Sequence, residues 1–321
     1  MVEKGLLDLA FGPVPSRRLG RSLGINNIPP KVCTYSCVYC QLGRTNKMSD
    51  KRRAFYPPEA LVAAVEARAR AVKERGEAID YLTFVPDGEP TLDVHLGMEI
   101  NVLRHLGSKI AVISNASLIH MDEVREDLAS ADWVSFKVDA ADEETWYKID
   151  RPHRSLRLDR ISTGMLAFRE SFKGILATET MFVAGMNDSP EQVQALADFL
   201  GRLQPAIAYL AVPTRPSAEK WVRPATEEVL NRAYQKVGSR VNRVELLMGY
   251  EGNAFSATGN SEQDLLSITA VHPMRDDAVE ELLRRNGDKW ATVDLLLKDH
   301  RLVELHHEGK RYFIRRWMRS A

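Results

Sequence analysis

The chain has 321 residues, with Lys+Arg and Asp+Glu balanced at 44 each, so no global field recruits nucleic acid or an anionic membrane surface. At 44% hydrophobic and 27% charged it has an ordinary globular composition, long enough for one large domain plus a small one. The opening MVEKGLLDLAFGP lacks the apolar core of a signal peptide, and no stretch approaches about eighteen uninterrupted apolar residues. No membrane partner and a reducing, cytoplasmic setting are the expectation.

Residues 1–20 read as an N-terminal extension, and "PSRRLGR" at its end supplies Arg17, Arg18 and Arg21. A first strand is expected near Ser22 to Asn26, opening a core over 21–250. Next comes "VCTYSCVYC", which holds every cysteine of the chain, Cys33, Cys37 and Cys40, in C-x3-C-x2-C spacing. Three is an odd number, and neighbours this close are poorly placed to cross-link distant parts of a fold. A redox thiol or a metal site is left, beside the bland reading of three incidental cysteines. Structural zinc usually takes four protein ligands, and the nearest histidine, His95, is far along the chain. Three thiolates with no evident fourth ligand suit an iron–sulfur cube whose last iron is open to something that is not protein.

"NKMSDKRR" adds Lys47, Lys51, Arg52 and Arg53 just after the cysteines. From about residue 58 helical and short apolar segments alternate. "PPEALVAAVEARARAVKERG" reads as an amphipathic helix opened by proline, and "IDYLTFVP" as a buried strand. Further strands are expected at 109–114, 133–138, 175–183, 207–213 and 243–248, mostly with helices between, which argues for a parallel sheet covered by helices. A Rossmann-type sheet is the alternative, but no G-x-G-x-x-G loop follows an early strand. Polar residues sit where these strands end, the functional rim of such sheets. "DGEPT" supplies Asp87, Gly88, Glu89, Pro90 and Thr91; the next strand ends in Ser114, Asn115 and Ser117; the one after it ends in Lys137 and Asp139. Taken singly, these are turn and cap residues.

Beyond "GYEGNAFSATGN", residues 261–321 read as a separate small unit. Helical signals at 261–268, 276–286 and 291–299 precede two alternating strands around a His307–Lys310 turn, a winged-helix pattern. Its end is locally basic, with Lys310, Arg311, Arg315, Arg316 and Arg319. A nucleic-acid reader, a peptide-docking module and a solvated hairpin packed on the core all fit that pattern.

C-x3-C-x-Y-C, with Tyr39 immediately before the last cysteine, resembles the signature of the radical S-adenosylmethionine (radical SAM) superfamily. "FGPVPSRRLGRSLGIN", "CVYCQLGRT", "KVDAADEETWYKIDRP", "MFVAGMNDS" and "VPTRPSAEKWVRP" resemble its branch grouped with the tRNA wyosine-base synthases. The resemblance covers about Phe11 to Met248 and implies a partial (β/α)6 barrel. It implies that Cys33, Cys37 and Cys40 hold a [4Fe-4S] cluster whose fourth iron is chelated by S-adenosylmethionine. It implies an external one-electron donor of flavodoxin or ferredoxin type, and reductive cleavage giving a 5′-deoxyadenosyl radical that takes hydrogen from a substrate.

By the same resemblance Glu89, flanked by Gly88 and Pro90, meets the methionine amino group, Ser114, Asn115 and Asp139 are ribose or carboxylate contacts, and Tyr39 packs by the adenine or shields the cluster. Arg17, Arg18 and Lys137 are expected to face an anionic substrate, an RNA, a peptide or a metabolite. With all three cysteines committed, a second cysteine-bound cluster, as wyosine-base synthases use, is excluded by counting. No region before the core is large enough for a cobalamin domain. Two non-enzymatic readings compete: an iron–sulfur electron-transfer protein, and a winged-helix nucleic-acid-binding iron–sulfur sensor.

Overall fold

The structure, a computed structural model, describes residues 9–247, 255, 257–271, 273–307 and 309–316. Met248 and Arg319 lie outside the described residues. In chain order the larger part runs β1 (Ala10–Ser16), β2 (Gly20–Ile25), the two-residue strands β3 (Val32–Cys33) and β4 (Lys47–Met48), α1 (Pro58–Glu74), β5 (Tyr81–Phe84), α2 (Leu96–Leu103), β6 (Lys109–Ser114), α3 (Asp122–Ala129) and β7 (Trp133–Lys137). It continues through α4 (Glu143–Asp150), α5 (Leu158–Ser171), β8 (Ile175–Met181), α6 (Pro190–Leu203), β9 (Ile207–Ala211), α7 (Glu227–Gly238) and β10 (Val244–Leu247).

Eight strands form one sheet in the order β1-β2-β5-β6-β7-β8-β9-β10. From β2 to β10 every pairing is parallel, with helices in the crossovers, as the alternating sequence pattern predicts. The sheet is an open, partial barrel with β1 and β10 as its free edges. β1 itself was not expected: its Pro13 and Pro15 argue against a central strand, and it is tolerated because it is an antiparallel edge. The boundary drawn at residue 20 therefore falls inside the β1–β2 hairpin.

Alternation along each parallel strand sorts side chains between two faces. Leu82, Phe84, Ile110, Val112, Val134, Phe136, Leu176, Ala208 and Leu210 point to the helices, where α1 contributes Leu61, Val65, Ala69 and Val72 at helical spacing. Trp133, Tyr209, Ile207 and Tyr81 fill one end of the barrel interior with Ala111, Ala177 and Ala211. The interior turns polar above them, beginning with the buried Ser22–Thr83 hydroxyl pair at 2.7 Å. Large aromatics at one end and small or polar residues toward the strands' carboxyl ends leave a cavity there.

The C-terminal part comprises α8 (Ser261–Val271), β11 (Met274–Arg275), α9 (Asp276–Asn286), α10 (Ala291–Lys298), β12 (Leu302–His307) and β13 (Lys310–Arg315). The helices and hairpin match the expected segments, and β11 adds a third strand in the order β11-β13-β12. It has its own core around Phe255, Leu265, Met274, Leu282, Leu296 and Phe313. It is not a detached appendage. α8 lies on β1, Ala270 packs on Phe11, and Val14 reaches the C-terminal core. Arg68 of α1 bridges Gly12 O (2.7 Å) and Asp264 (3.1 Å), Arg285 meets Glu77 (2.8 Å), and the Tyr312 hydroxyl donates to Thr214 O (3.3 Å) beyond β9.

Candidate active site

The cysteine loop crosses the rim of the barrel because β3 is pinned to the turn after β5. Val32 bridges Gly88, and the Glu89 amide donates to Val32 O at 3.2 Å. A Cβ on Gly88 would stand 1.8 Å from Val32 O, so only glycine permits this approach. The close contact that this glycine serves is with the cysteine loop.

Cys33, Cys37 and Cys40, none in a disulfide, line one cavity of about 350 Å³ at the strands' carboxyl ends. Tyr39, Gly88, Glu89, Ser114, Asn115, Arg17, Arg18 and Lys137 line the same cavity. Pro90 and Asp139 are not among the residues that line it. Pro90 opens a single 3-10 turn, and its carbonyl accepts from Asn27 at 3.1 Å. Asp139 is buried, held by the Tyr39 hydroxyl and by the Met181 amide at 2.6 Å.

Glu89 is buried, and its carboxyl pKa is raised by desolvation against the pull of its hydrogen bonds. Oε1 accepts from the Thr91 amide (3.1 Å), the Thr91 hydroxyl (2.7 Å) and Ser114 Oγ (2.7 Å), while Oε2 accepts only from the Asn115 amide (2.7 Å). Oε2 retains acceptor capacity for a cation. Ser114, which lines the cavity, donates its hydroxyl hydrogen to Glu89. Asn115 donates to Thr34 Oγ1 at 2.7 Å and to Cys33 Sγ at 3.6 Å, tying the first cysteine to β6.

Opposite stands a charge cluster only half visible in the sequence. Glu179 of β8 pairs with Arg18 and with Lys137, the latter at 2.5 Å, and Lys137 lies 5.1 Å from the Tyr39 ring centroid. Burial alone would raise the Glu179 carboxyl, but Arg18 and Lys137 outweigh it and hold its pKa at about 2. Burial would lower Lys137, yet Glu179 and Asp139 raise it, so its ammonium is a fixed charge and not a free amine nucleophile. A lone carboxylate in "ILATETMFV", otherwise an apolar strand, was the signal for Glu179. Arg215, also missed, lines the cavity and donates to Gln41 at 2.8 Å.

The thiols fit a metal cluster. Burial first, then Glu89, pushes Cys33 to about 12, and burial also raises Cys37 and Cys40. Left alone they would be neutral thiols; metal coordination is what draws off such protons. Among the described residues no three His, Cys, Asp or Glu side chains gather closely enough to hold a single ion. A cube asks for a different arrangement, one thiolate on each of three irons.

Residues 27–200 match the family model described as the radical SAM superfamily. The chain belongs to that superfamily. The UPF0026 protein of Methanocaldococcus jannaschii is 45% identical over 96% of both chains. A UPF0026 protein of Helicobacter pylori is 34% identical over 71% of this chain and 74% of its own. Among solved structures, TYW1 with a lysine-pyruvate adduct bound is similar at a TM-score of 0.53, 16% identity, covering 69% of this chain and 74% of its own. A radical SAM methyltransferase from Sphaerobacter thermophilus reaches 0.54 at 18% identity, covering 73% and 69%. At such identities these two show the fold alone. The radical SAM protein is an enzyme, and its superfamily's cofactors are a [4Fe-4S] cluster and S-adenosylmethionine.

Proposed function

We propose that this radical SAM enzyme reductively cleaves S-adenosylmethionine at one cluster held by Cys33, Cys37 and Cys40, and uses the product to take hydrogen from a substrate carrying an anionic group. The observation that carries the reading is the shared cavity: three cysteines, the buried Glu89 and a basic wall meet in one space. When bound, the cluster supplies the electron that splits the sulfonium into methionine and a 5′-deoxyadenosyl radical, the hydrogen-abstracting species. Glu89 Oε2 accepts the methionine ammonium, an interaction strengthened by low dielectric. Asn115 orients both Glu89 and Cys33. Arg18 and Lys137, with Glu179 between them, leave one net positive charge on this wall, favouring a carboxylate or phosphate. Phe11, Met181 and Leu247 supply apolar wall that keeps water from a reactive intermediate.

The division into a core over 21–250 and a C-terminal unit over 261–321, with its winged-helix-like order of helices and strands, belongs to the same reading. The hairpin is a poor polyanion reader: Arg311 is engaged by Glu304 at 2.8 Å and lies over Trp290 and Phe313. Closure of the barrel edge, not RNA binding, is the role its contacts favour. Three unpaired thiols suit the cytoplasm, and among the described residues no helix is long and apolar enough to cross a membrane.

Anaerobic reconstitution tests the proposal. About four irons and four sulfides per chain are expected, with 5′-deoxyadenosine formed on adding dithionite and S-adenosylmethionine. Cys37→Ala should abolish both, and full cleavage by that variant would sink the assignment.

A further inference from the structure

The cysteine loop turns one side to the cavity and the other to a wall built from α4 and the loops after β8 and β9. Val38, between Cys37 and Cys40, is buried against Ile149 of α4, Val183 and Val222. The loop after β9 is laced over it: the Glu219 amide donates to Val38 O at 3.1 Å, and the Glu219 carboxylate accepts from Arg44 (3.0 and 3.1 Å) and Arg151 (2.5 Å). The outer surface of this wall is basic and aromatic. Arg44 keeps 70% of its side chain exposed, Trp221 is 48% exposed, and Lys220 and Arg223 beside it are exposed too. Arg223 donates to the carbonyl oxygens of Lys220 and Val222, at 2.7 and 2.8 Å, contacts that leave its charge uncompensated. Glu219 neutralises one of Arg44 and Arg151, and Lys148 on α4 is matched by Glu144, so the local surplus rests on Lys220, Arg223 and one arginine.

We infer that this wall, centred on Lys220, Trp221 and Arg223, is the docking face for an acidic one-electron donor protein. The inference rests on the reading that Cys33, Cys37 and Cys40 hold the cluster. Cofactor and substrate occupy the cavity side, so the electron enters from the other, and electron transfer falls steeply with distance. At Val38 the cysteine loop packs directly on Val222, which sits in sequence between the exposed Trp221 and Arg223 of the outer face. An exposed tryptophan ringed by cations in a chain of no net charge is a local feature, not a global field. Such a face suits a small, transient, electrostatically steered encounter with a negatively charged partner.

The test uses the reconstituted full-length enzyme with two reductants, dithionite and a reduced flavodoxin. Wild-type cleavage of S-adenosylmethionine driven by flavodoxin should slow as salt rises from about 0.05 to 0.3 M, while the dithionite-driven rate holds. The Lys220→Glu/Arg223→Glu protein should lose about tenfold in the flavodoxin-driven rate and keep its dithionite-driven rate within about twofold. A variant that accepts electrons from flavodoxin as fast as the wild type overturns the docking face. So does a wild type that responds to dithionite but not to flavodoxin. Failure of the wild type with both reductants strikes instead at the cluster assignment, and the docking face falls with it.

Discussion

Asp264→Asn is the substitution that separates a barrel closed by its C-terminal unit from a barrel that merely carries one. The Asp264 carboxylate is fully buried and collects four donors. Oδ1 accepts from Arg68 (3.1 Å) and the Thr258 hydroxyl (2.7 Å), and Oδ2 from the Thr258 amide (2.6 Å) and Asn286 (3.1 Å). An amide keeps one acceptor and turns its own NH2 toward the donors of the other oxygen. At least two hydrogen bonds are lost, about 1 kcal/mol for each neutral one and about 1.5–3 kcal/mol where a charge takes part. The Arg68 side chain, only 10% exposed, also loses its counter-charge, the costly way to break a buried pair. The combined cost is about 3–4 kcal/mol, read as a fall of about 5–10 °C in the midpoint of thermal unfolding. Because Arg68 also holds Gly12 O, protection of β1 amides from hydrogen exchange should fall together with that of α8. A midpoint within about 2 °C of wild type, with β1 protection intact, would refute the coupling.

Glu89→Gln should retain the cluster but weaken S-adenosylmethionine binding by about 1–2 kcal/mol, five- to thirty-fold, in calorimetry on the reconstituted protein; unchanged affinity would remove Glu89 from that role. Glu179 carries a pH signature: its pKa falls from an ordinary 4.5 to about 2 in the folded protein, so its contribution to stability is full above 4.5 and is lost as pH drops toward 2. The stability difference between wild type and Glu179→Gln, from urea denaturation of both in the same metal-free state, should therefore shrink by about 1 kcal/mol between pH 7 and pH 4. A difference that stays flat or grows across that interval would contradict the triad.

The periodic part of the fold was readable because both faces of each parallel strand are buried, so β5 to β9 announce themselves as apolar runs between amphipathic helices. β1 was not readable, since "AFGPVPS" has the composition of a turn and becomes a strand only because β2 offers it an edge. The coupling of the C-terminal unit to the barrel was equally hidden. Its helices and hairpin follow local rules, but Arg68–Asp264 joins residues 196 positions apart, and neither looks unlike a surface charge in sequence. The cavity is lined wholly by residues up to Leu247, yet Phe11 and Val14 in its wall meet Ala270 and the C-terminal core on their other side.

In the site, legibility follows how much each residue's role depends on neighbours distant in sequence. The cysteines are close together, and their number and spacing already imply a metal cluster open at one position. Glu89 could be picked out by its place after a strand, but not the three hydrogen bonds that fill one oxygen and the single one that leaves the other with acceptor capacity. Asp139 shows what position alone leaves unread. It ends its strand as a ligand-binding residue would, yet the Tyr39 hydroxyl and the Met181 amide take up its oxygens behind the cavity wall. A strand-end polar residue is free to meet a ligand only when no closer donor claims it. In this barrel the cysteine loop brings such a donor, Tyr39, to Asp139, while the equivalent interior charge facing the cavity comes from Glu179, two positions deeper on the next strand over.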